Sequence, residues 1–269
     1  MGSHVCKHSE IISQETRSTI SLRYQTVTKT VNRVFWNSQS ETQHSLYVGS
    51  YGRGTAINTS DLDILVELPK SEYDRYDVMT GNGQSRLLQA LRNSILSTYP
   101  RSDVRADGQV VKISFFDGMK FEILPAFKRG EFFDQWDGTF YYPDTNMGGN
   151  WRSTNPKAEQ NAMKEKNSNS DGLFYDTCKH IRSVRDNHFS SYHLSGIVID
   201  SFVYLAMGNW RWLSKGETST SVKGDYERVL LNYLIENSIA PLTAPGSGQN
   251  VDVDSSLECL KKVLVYMAE

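Results

Sequence analysis

The sequence predicts an α+β fold: a helix packed on a mixed β-sheet, followed by a helical second half. Three observations predict it. Apolar residues recur at helical spacing near the start, at Ile20, Tyr24, Val27, Val31 and Val34. Short apolar runs bounded by Gly, Pro and Asp follow, up to Phe127. Helical spacing then returns from Leu173 onward.

The first helix spans about Ile12 to Trp36 by this spacing, and the polar run Asn37 to Gln43 ends it. A short strand, Ser45 to Val48, runs into Gly49-Ser50-Tyr51-Gly52-Arg53-Gly54. A second strand covers Leu62 to Leu68 and stops at Pro69. Leu87, Leu88, Leu91, Ile95 and Leu96 mark a helix that ends at Tyr99-Pro100. Gln109 to Phe116 and Lys120 to Phe127 read as a hairpin, because Asp117-Gly118 lies between two alternating segments.

From Lys128 to Asn169 the composition changes. Gly148-Gly149, several Asn, and the aromatics Phe132, Phe133, Trp136, Tyr141, Tyr142 and Trp151 mark an ordered crossing with a short helix over Pro156 to Lys166. Helical patterns then cover Leu173 to His188, Leu194 to Leu213, Lys223 to Glu236 and Ser256 to Met267. The expected division is a sheet lobe over 1–150, including the long first helix, and a helical lobe over 151–269. No internal repeat or low-complexity tract interrupts them.

Length and composition exclude several classes. The chain has 269 residues, enough for a full hydrophobic core. Its 29 Lys+Arg and 31 Asp+Glu give a net charge of −2, which argues against coating nucleic acid by bulk charge. No apolar run approaches the roughly 20 residues of a membrane span. The N-terminus carries no apolar signal-peptide stretch and misses the myristoylation pattern. The 3 cysteines, Cys6, Cys178 and Cys259, make neither a disulfide framework nor a Cys-pair zinc site. Cys178 and Cys259 fall in helical patterns and read as buried thiols, so a reducing cytoplasm is the default expectation. The 6 histidines form no helical His-Glu-x-x-His and no Cys/His zinc spacing.

The chemistry concentrates in Gly49-Ser50 and in Ser60-Asp61-Leu62-Asp63-Ile64. Side chains alternate along a strand, so Asp61 and Asp63 point to one face while Leu62 and Ile64 point to the other. Adjacent carboxylates repel unless a cation lies between them, and such hard oxygen donors suit Mg²⁺ or Mn²⁺. The small residues Gly49 and Ser50 allow a phosphate to approach backbone N–H groups. Each piece alone has a bland reading: an Asp-x-Asp is common and more often caps a turn. Two facts weigh against it. The pair opens a strongly apolar strand, where an unpaired carboxylate is costly. A third acid, Glu122, stands between Phe121 and Ile123 in another apolar strand. Its bland reading is a surface Glu paired with Lys120 or Lys112. Lys179, Arg182 and Arg185 are spaced by three on one helix and could serve a triphosphate, or form a solvated stripe paired with Asp176 and Asp186.

Gly49-Ser50, then Asp61-Leu62-Asp63, then Glu122-Ile123-Leu124-Pro125-Ala126-Phe127 resembles the pattern of polymerase-β-like nucleotidyltransferases. It is most similar to oligoadenylate synthases and to the bacterial cyclic-oligonucleotide synthases, the CD-NTases, relatives of cyclic GMP–AMP synthase. Gly149-Asn150-Trp151, Thr154-Asn155-Pro156-Lys157, the basic helix Lys179 to Asp186 and Leu194-Ser195-Gly196-Ile197 extend the resemblance over about residues 45 to 210. In most relatives the third acid is Asp; here it is Glu122, longer by one methylene.

The resemblance implies a two-lobed nucleotidyltransferase with its active site in the cleft between the lobes. It implies Asp61, Asp63 and Glu122 as catalytic metal ligands for Mg²⁺ or Mn²⁺. Gly49 and Ser50 would hold phosphates, and Lys179, Arg182 and Arg185 the triphosphate. Tyr192, Ser195 and Asn155 would contact the base. The implied reaction joins nucleoside triphosphates, ATP or GTP and possible pyrimidine counterparts, into a cyclic di- or trinucleotide messenger with loss of pyrophosphate. Its setting would be bacterial anti-phage signalling, with the effector encoded elsewhere. Animal relatives that sense nucleic acid carry a zinc insertion that this sequence does not reproduce, which argues against a nucleic-acid activator. Two alternatives stay open. One is transfer of a nucleotide to a protein, tRNA or small molecule. The other is a nucleotide-binding module silenced by Glu122.

Overall fold

A computed structural model describes residues 3–8, 11–130, 136–237 and 240–269. Phe132 and Phe133, and the first two residues, lie outside the described residues. The chain forms two compact units that interleave along the sequence. One comprises Ile12–Gly52 and Ser60–Pro156; the other comprises Met1–Ile11, Arg53–Thr59 and Lys157–Glu269. The split expected at 150/151 therefore falls short of the change at 156/157, and it did not foresee that 53–59 joins the helical unit.

The sheet unit begins with α1 (Gln14–Phe35). Ser13 caps it, its hydroxyl accepting from the Thr16 N–H at 3.1 Å. Ile20, Tyr24, Val27 and Val31 are buried, whereas Val34, placed on the same stripe by spacing, is exposed. Then come β1 (Ser45–Tyr47), the single turn α2 (Gly49–Gly52), β2 (Leu62–Glu67), α3 (Lys70–Asp77) and α4 (Gly83–Thr98). They are followed by β3 (Asp103–Asp107), β4 (Val110–Ser114), β5 (Lys120–Lys128), β6 (Phe140–Asp144) and β7 (Asn150–Thr154).

The strands make one mixed sheet in the order β1-β2-β5-β4-β3, with β6 on β5 and β7 on β6. Among the described residues only the β2–β5 pairing is parallel; the others are antiparallel. Leu62, Ile64 and Val66 on β2, with Phe121 and Ile123 on β5, are buried on one face. That face meets α1 and α4, which supply Val27, Val31, Leu87, Leu91 and Ile95. On the opposite face Val48, Leu65, Ala126 and Phe140 form a smaller buried cluster.

The Asp117-Gly118 hairpin is present, with the Gly118 N–H donating to the Phe115 carbonyl at 3.0 Å. The ordered crossing contains a hairpin, β6–β7, in register from Phe140–Thr154 to Asp144–Asn150.

The helical unit is built from α5 (Pro156–Asn169), α6 (Leu173–His188), α7 (Gly196–Ala206), α8 (Asp225–Glu236) and α9 (Leu257–Ala268), with the short pair β8 (Leu242–Thr243) and β9 (Asn250–Val251). Its core joins Phe174, Cys178, Ile181, Ile199, Val203, Leu230, Val263 and Leu264. Cys178 and Cys259 are buried thiols, as their helical setting suggested. The helix expected over Leu194 to Leu213 is shorter. It stops before Gly208, whose φ of 53° lies in the left-handed region that ends helices. Among the described residues no helix is long and apolar enough to cross a membrane.

Candidate active site

The acids stand at the start of β2 and β5, on the face opposite Leu62 and Phe121. β2 and β5 run parallel with Asp63 opposite Glu122, so both side chains leave the same face from strands about 4.8 Å apart. Asp61 stands two residues before Asp63, just ahead of β2, and is exposed; Asp63 and Glu122 are half-buried. The row continues across the sheet, since Glu122 lies opposite Lys112 on β4, and Lys112 opposite Arg105 on β3. Two acids are thus followed by two cations in one register line.

Glu122 is paired with Lys112, Oε1 to Nζ at 3.3 Å, and Lys112 also reaches Asp107 at 2.8 Å. The bond to Asp107, reinforced by Glu122, raises the Lys112 pKa against the opposing effect of partial burial. A recess of about 220 Å³ opens here, lined by Asp61, Glu122, Lys112, Lys120, Arg105 and Ser114 among others. Sequence reasoning named Lys112 only as a surface partner of Glu122 and missed Arg105. The available signal was Lys112 at an alternating position of β4, the strand beside Glu122; Arg105 lies one strand further, on β3.

Gly49 places the Gly-Ser turn against the same carboxylates. Its φ is 57°, and a Cβ there would land on the Asp63 carboxylate. The Val48 N–H donates to the Asp63 carbonyl at 2.9 Å, fixing this approach. Ser50 follows in α2 and is half-buried. Asp63 and Glu122 share one face, Asp61 lines the same recess as Glu122, and Gly49 lets the Asp63 carboxylate pack against the Gly-Ser turn, so these hard oxygen donors fit Mg²⁺ or Mn²⁺. Asn155 lies elsewhere in the sheet unit, its Nδ2 donating to the Asp137 carbonyl at 3.0 Å.

In the helical unit the predicted cations divide. Lys179 is half-buried, with its ammonium 6.0 Å from the centre of the Tyr175 ring. Arg185 is held by Asp186 at 2.6 Å and by the Leu194 carbonyl at 3.0 Å, which realises the Asp186 pairing weighed for that stripe. Arg182 departs from the expectation of a phosphate ligand. It is buried, donates to Asp200 Oδ1 at 2.7 Å, and also donates to the carbonyls of Gly196 and Cys178. A guanidinium taken out of water finds an acid partner rather than a solvent-facing ligand.

Asp200 is the centre of this network. Its other oxygen accepts from Arg53 Nε at 2.8 Å and from the Thr55 hydroxyl at 2.9 Å. Arg53 also faces Glu159 at 3.7 Å. Burial pushes the Asp200 carboxyl up, but Arg182 and Arg53 outweigh it and hold its pKa below the usual range. For Glu159 burial wins over Arg53 and the Ser247 hydroxyl, and the pKa is raised. Arg53 and Thr55, just after the Gly-Ser turn in sequence, are thus buried in the helical unit, a role the sequence alone does not reveal.

Tyr192 is exposed, with the Lys262 ammonium 4.8 Å from its ring centre. Ser195 precedes α7 as its N-cap residue, and its N–H donates to the Ser256 hydroxyl at 3.0 Å.

The mixed sheet and the helical unit match the nucleotidyltransferase fold of the CD-NTases. Within that class, the chain belongs to the family described as the Second Messenger Oligonucleotide or Dinucleotide Synthetase domain (SMODS), which matches residues 6–167. A curated protein of Bacillus cereus (strain VD146), named "Probable cyclic nucleotide synthase", is 27% identical over 161 residues. That match covers 56% of this chain and 47% of the relative, so the chain spans about half the relative's length.

Solved structures share the fold. The CdnE cyclic dinucleotide synthase of Elizabethkingia meningoseptica, with GTP and Apcpp, has a TM-score of 0.62 at 12% identity, over 95% of this chain and 97% of that one. The STING-associated CdnE c-di-GMP synthase of Capnocytophaga granulosa has a TM-score of 0.64 at 16% identity, over 93% and 80%. The Bradyrhizobium diazoefficiens CdnG, in complex with GTP, has a TM-score of 0.63 at 12% identity, over 96% and 85%.

Proposed function

We propose that this chain is a metal-dependent nucleotidyltransferase that joins nucleoside triphosphates into a cyclic di- or trinucleotide, releasing pyrophosphate. One observation carries the reading: Asp63 and Glu122 stand in register on adjacent strands, with Asp61 beside them and the Gly49-Ser50 turn against Asp63. Membership of the SMODS family and the nucleotide-bound CdnE and CdnG structures support it.

Asp61, Asp63 and Glu122 would hold Mg²⁺ or Mn²⁺. Bound there, the metal would lower the pKa of the attacking ribose hydroxyl and neutralise charge on the departing pyrophosphate. Ser50 and the backbone N–H groups near Gly49 would take the outer phosphates. Lys112, 3.3 Å from Glu122, tethers that side chain, a second influence on the third acid besides its extra methylene. Lys179 and Arg185 remain the proposed triphosphate cations, and Tyr192, Ser195 and Asn155 the proposed base contacts. Arg182 instead positions α6 through Asp200. Anti-phage signalling, with a separately encoded effector, is the proposed setting.

A second reading, a silent nucleotide-binding module, is favoured by one contact: Glu122 already has its counter-charge in Lys112. Incubation with the four ribonucleoside triphosphates and Mg²⁺ or Mn²⁺, followed by phosphatase and mass spectrometry, separates the two. A phosphatase-resistant oligonucleotide supports the synthase. Nucleotide-induced thermal stabilisation without any product supports the silent module.

A further inference from the structure

Three side chains far from the acids converge at the start of the chain. Cys6 Sγ, His8 Nε2 and His180 Nδ1 all lie within 4.8 Å of one another. Among the described residues this is the group of three His, Cys, Asp or Glu side chains so gathered. Their separations are 3.1 Å between His8 Nε2 and His180 Nδ1, 3.5 Å between Cys6 Sγ and His8 Nε2, and 3.9 Å between Cys6 Sγ and His180 Nδ1.

These are the edges of a tetrahedral zinc site. With Zn–N of about 2.05 Å and Zn–S of about 2.3 Å, a tetrahedron has N···N edges of roughly 3.3 Å and N···S edges of roughly 3.6 Å. One thiolate and two imidazoles are borderline-soft donors that suit Zn²⁺ and not the hard ions fitted to the acid face.

The surroundings aim the donors. His180 is buried on α6, and its Nε2 lies 2.9 Å from the Ser3 carbonyl oxygen. A carbonyl only accepts, so the proton belongs on Nε2, and the Nδ1 lone pair is left facing Cys6 and His8. The His8 N–H donates to Asp176 Oδ1 at 2.8 Å, while the other Asp176 oxygen accepts from Trp212 Nε1 at 2.8 Å. Asp176 is thereby committed to holding the backbone that carries His8. The Val5 N–H donates to Glu227 Oε1 at 2.8 Å, and Val5 packs on the helical core. Residues 3–8 are thus already laid along α6 and α8 in the conformation a metal needs.

We propose that Cys6 Sγ, His8 Nε2 and His180 Nδ1 bind one Zn²⁺, fastening residues 3–8 to α6, with the fourth position taken by water. No local Cys/His zinc spacing marks this group in the sequence, because the third donor lies 172 residues from His8. The proposal is independent of the nucleotidyl reading, since none of the three residues belongs to the acid face.

The test uses the full chain, purified under reductant and loaded with zinc alone, then dialysed. Elemental analysis should find one zinc per chain. Cobalt substitution should give a thiolate-to-cobalt charge-transfer band with tetrahedral d–d absorption. Cys6→Ser should remove that band, and the Cys6→Ser/His8→Gln variant should lose zinc affinity on the order of 10²-fold or more. Cys6 is exposed and His8 half-buried, so the variants should keep the wild-type circular dichroism. Zinc should raise the wild-type Tm and leave that of the double variant unchanged. A folded wild type that retains no zinc overturns the proposal. So does zinc content or a cobalt spectrum unchanged in the double variant.

Discussion

Asp63 and Glu122 are direct neighbours across two parallel strands, and Glu122 is simultaneously the neighbour of Lys112 on its other side. The third acid therefore sits between a carboxylate and an ammonium. Without a metal its charge is balanced by Lys112 at 3.3 Å. With a metal between Asp63 and Glu122 the balance would shift toward the cation they share.

Glu122→Gln removes a charged oxygen donor without changing length, and should lower turnover on the order of 10²-fold or more. Glu122→Asp shortens the arm and should retain more activity than Gln. Steady-state pyrophosphate release measures both. Equal, near-wild-type rates in the two variants would mean that Glu122 does not hold the metal.

Lys112→Met leaves Glu122 without its cation. The pair is partly exposed, so stability should change by less than about 1 kcal/mol. The Mg²⁺ dependence of activity should shift instead, with half-saturation at lower metal because the Lys112 charge no longer competes. An unchanged metal titration would show that the ammonium does not contest the site.

Gly49→Ala forces a side chain onto the Asp63 carboxylate at a backbone with φ of 57°. The left-handed conformation alone costs about 1–2 kcal/mol for a residue with a Cβ. Displacing Asp63 should remove activity beyond what that loss of stability explains. Comparing Tm with turnover on the same sample checks it; full activity would place Gly49 away from the reacting groups.

Asp200→Asn should be among the most damaging single changes in the helical unit. It leaves Arg182 and Arg53 buried without their acid, a loss of about 3–5 kcal/mol. Urea unfolding followed by circular dichroism measures this, and a change below 1 kcal/mol, as expected for an exposed pair, would contradict the network.

The same network sets a pH dependence. The Asp200 pKa is lowered on folding, so its contribution is present above its unfolded value near 3.8 and is lost as pH falls from there through the folded pKa. The Glu159 pKa is raised, so its contribution is present below its unfolded value near 4.5 and is lost as pH rises through the folded pKa. Glu159→Gln should flatten the loss on the rising side. A stability–pH profile identical to wild type in that range would exclude Glu159 as its source.

Much of this was legible in the sequence, and what was missed has identifiable causes. Asp61 and Asp63 could be put on one face because strand alternation needs only local spacing. The helices α1, α4 and α6 follow from apolar periodicity. β3 was not legible: only Val104 is buried in Asp103–Asp107, so the edge strand carries no apolar alternation. The β6–β7 hairpin was hidden by its Asn- and Gly-rich connection. Arg182 read as a surface cation because its partner, Asp200, lies on the next helix in a segment of apolar character. Arg53 and the Cys6–His8–His180 group were missed for the same reason: their partners are close in space and remote along the chain.

The central claim is that Asp61, Asp63 and Glu122 act together through a divalent metal. Its most direct measurement is pyrophosphate release from nucleoside triphosphates across a Mg²⁺ titration, for the wild type and for Asp61→Asn/Asp63→Asn. The predicted result is metal-dependent release that the double variant loses while its circular dichroism and Tm remain close to wild type. Metal-dependent release that survives in the folded double variant would contradict it.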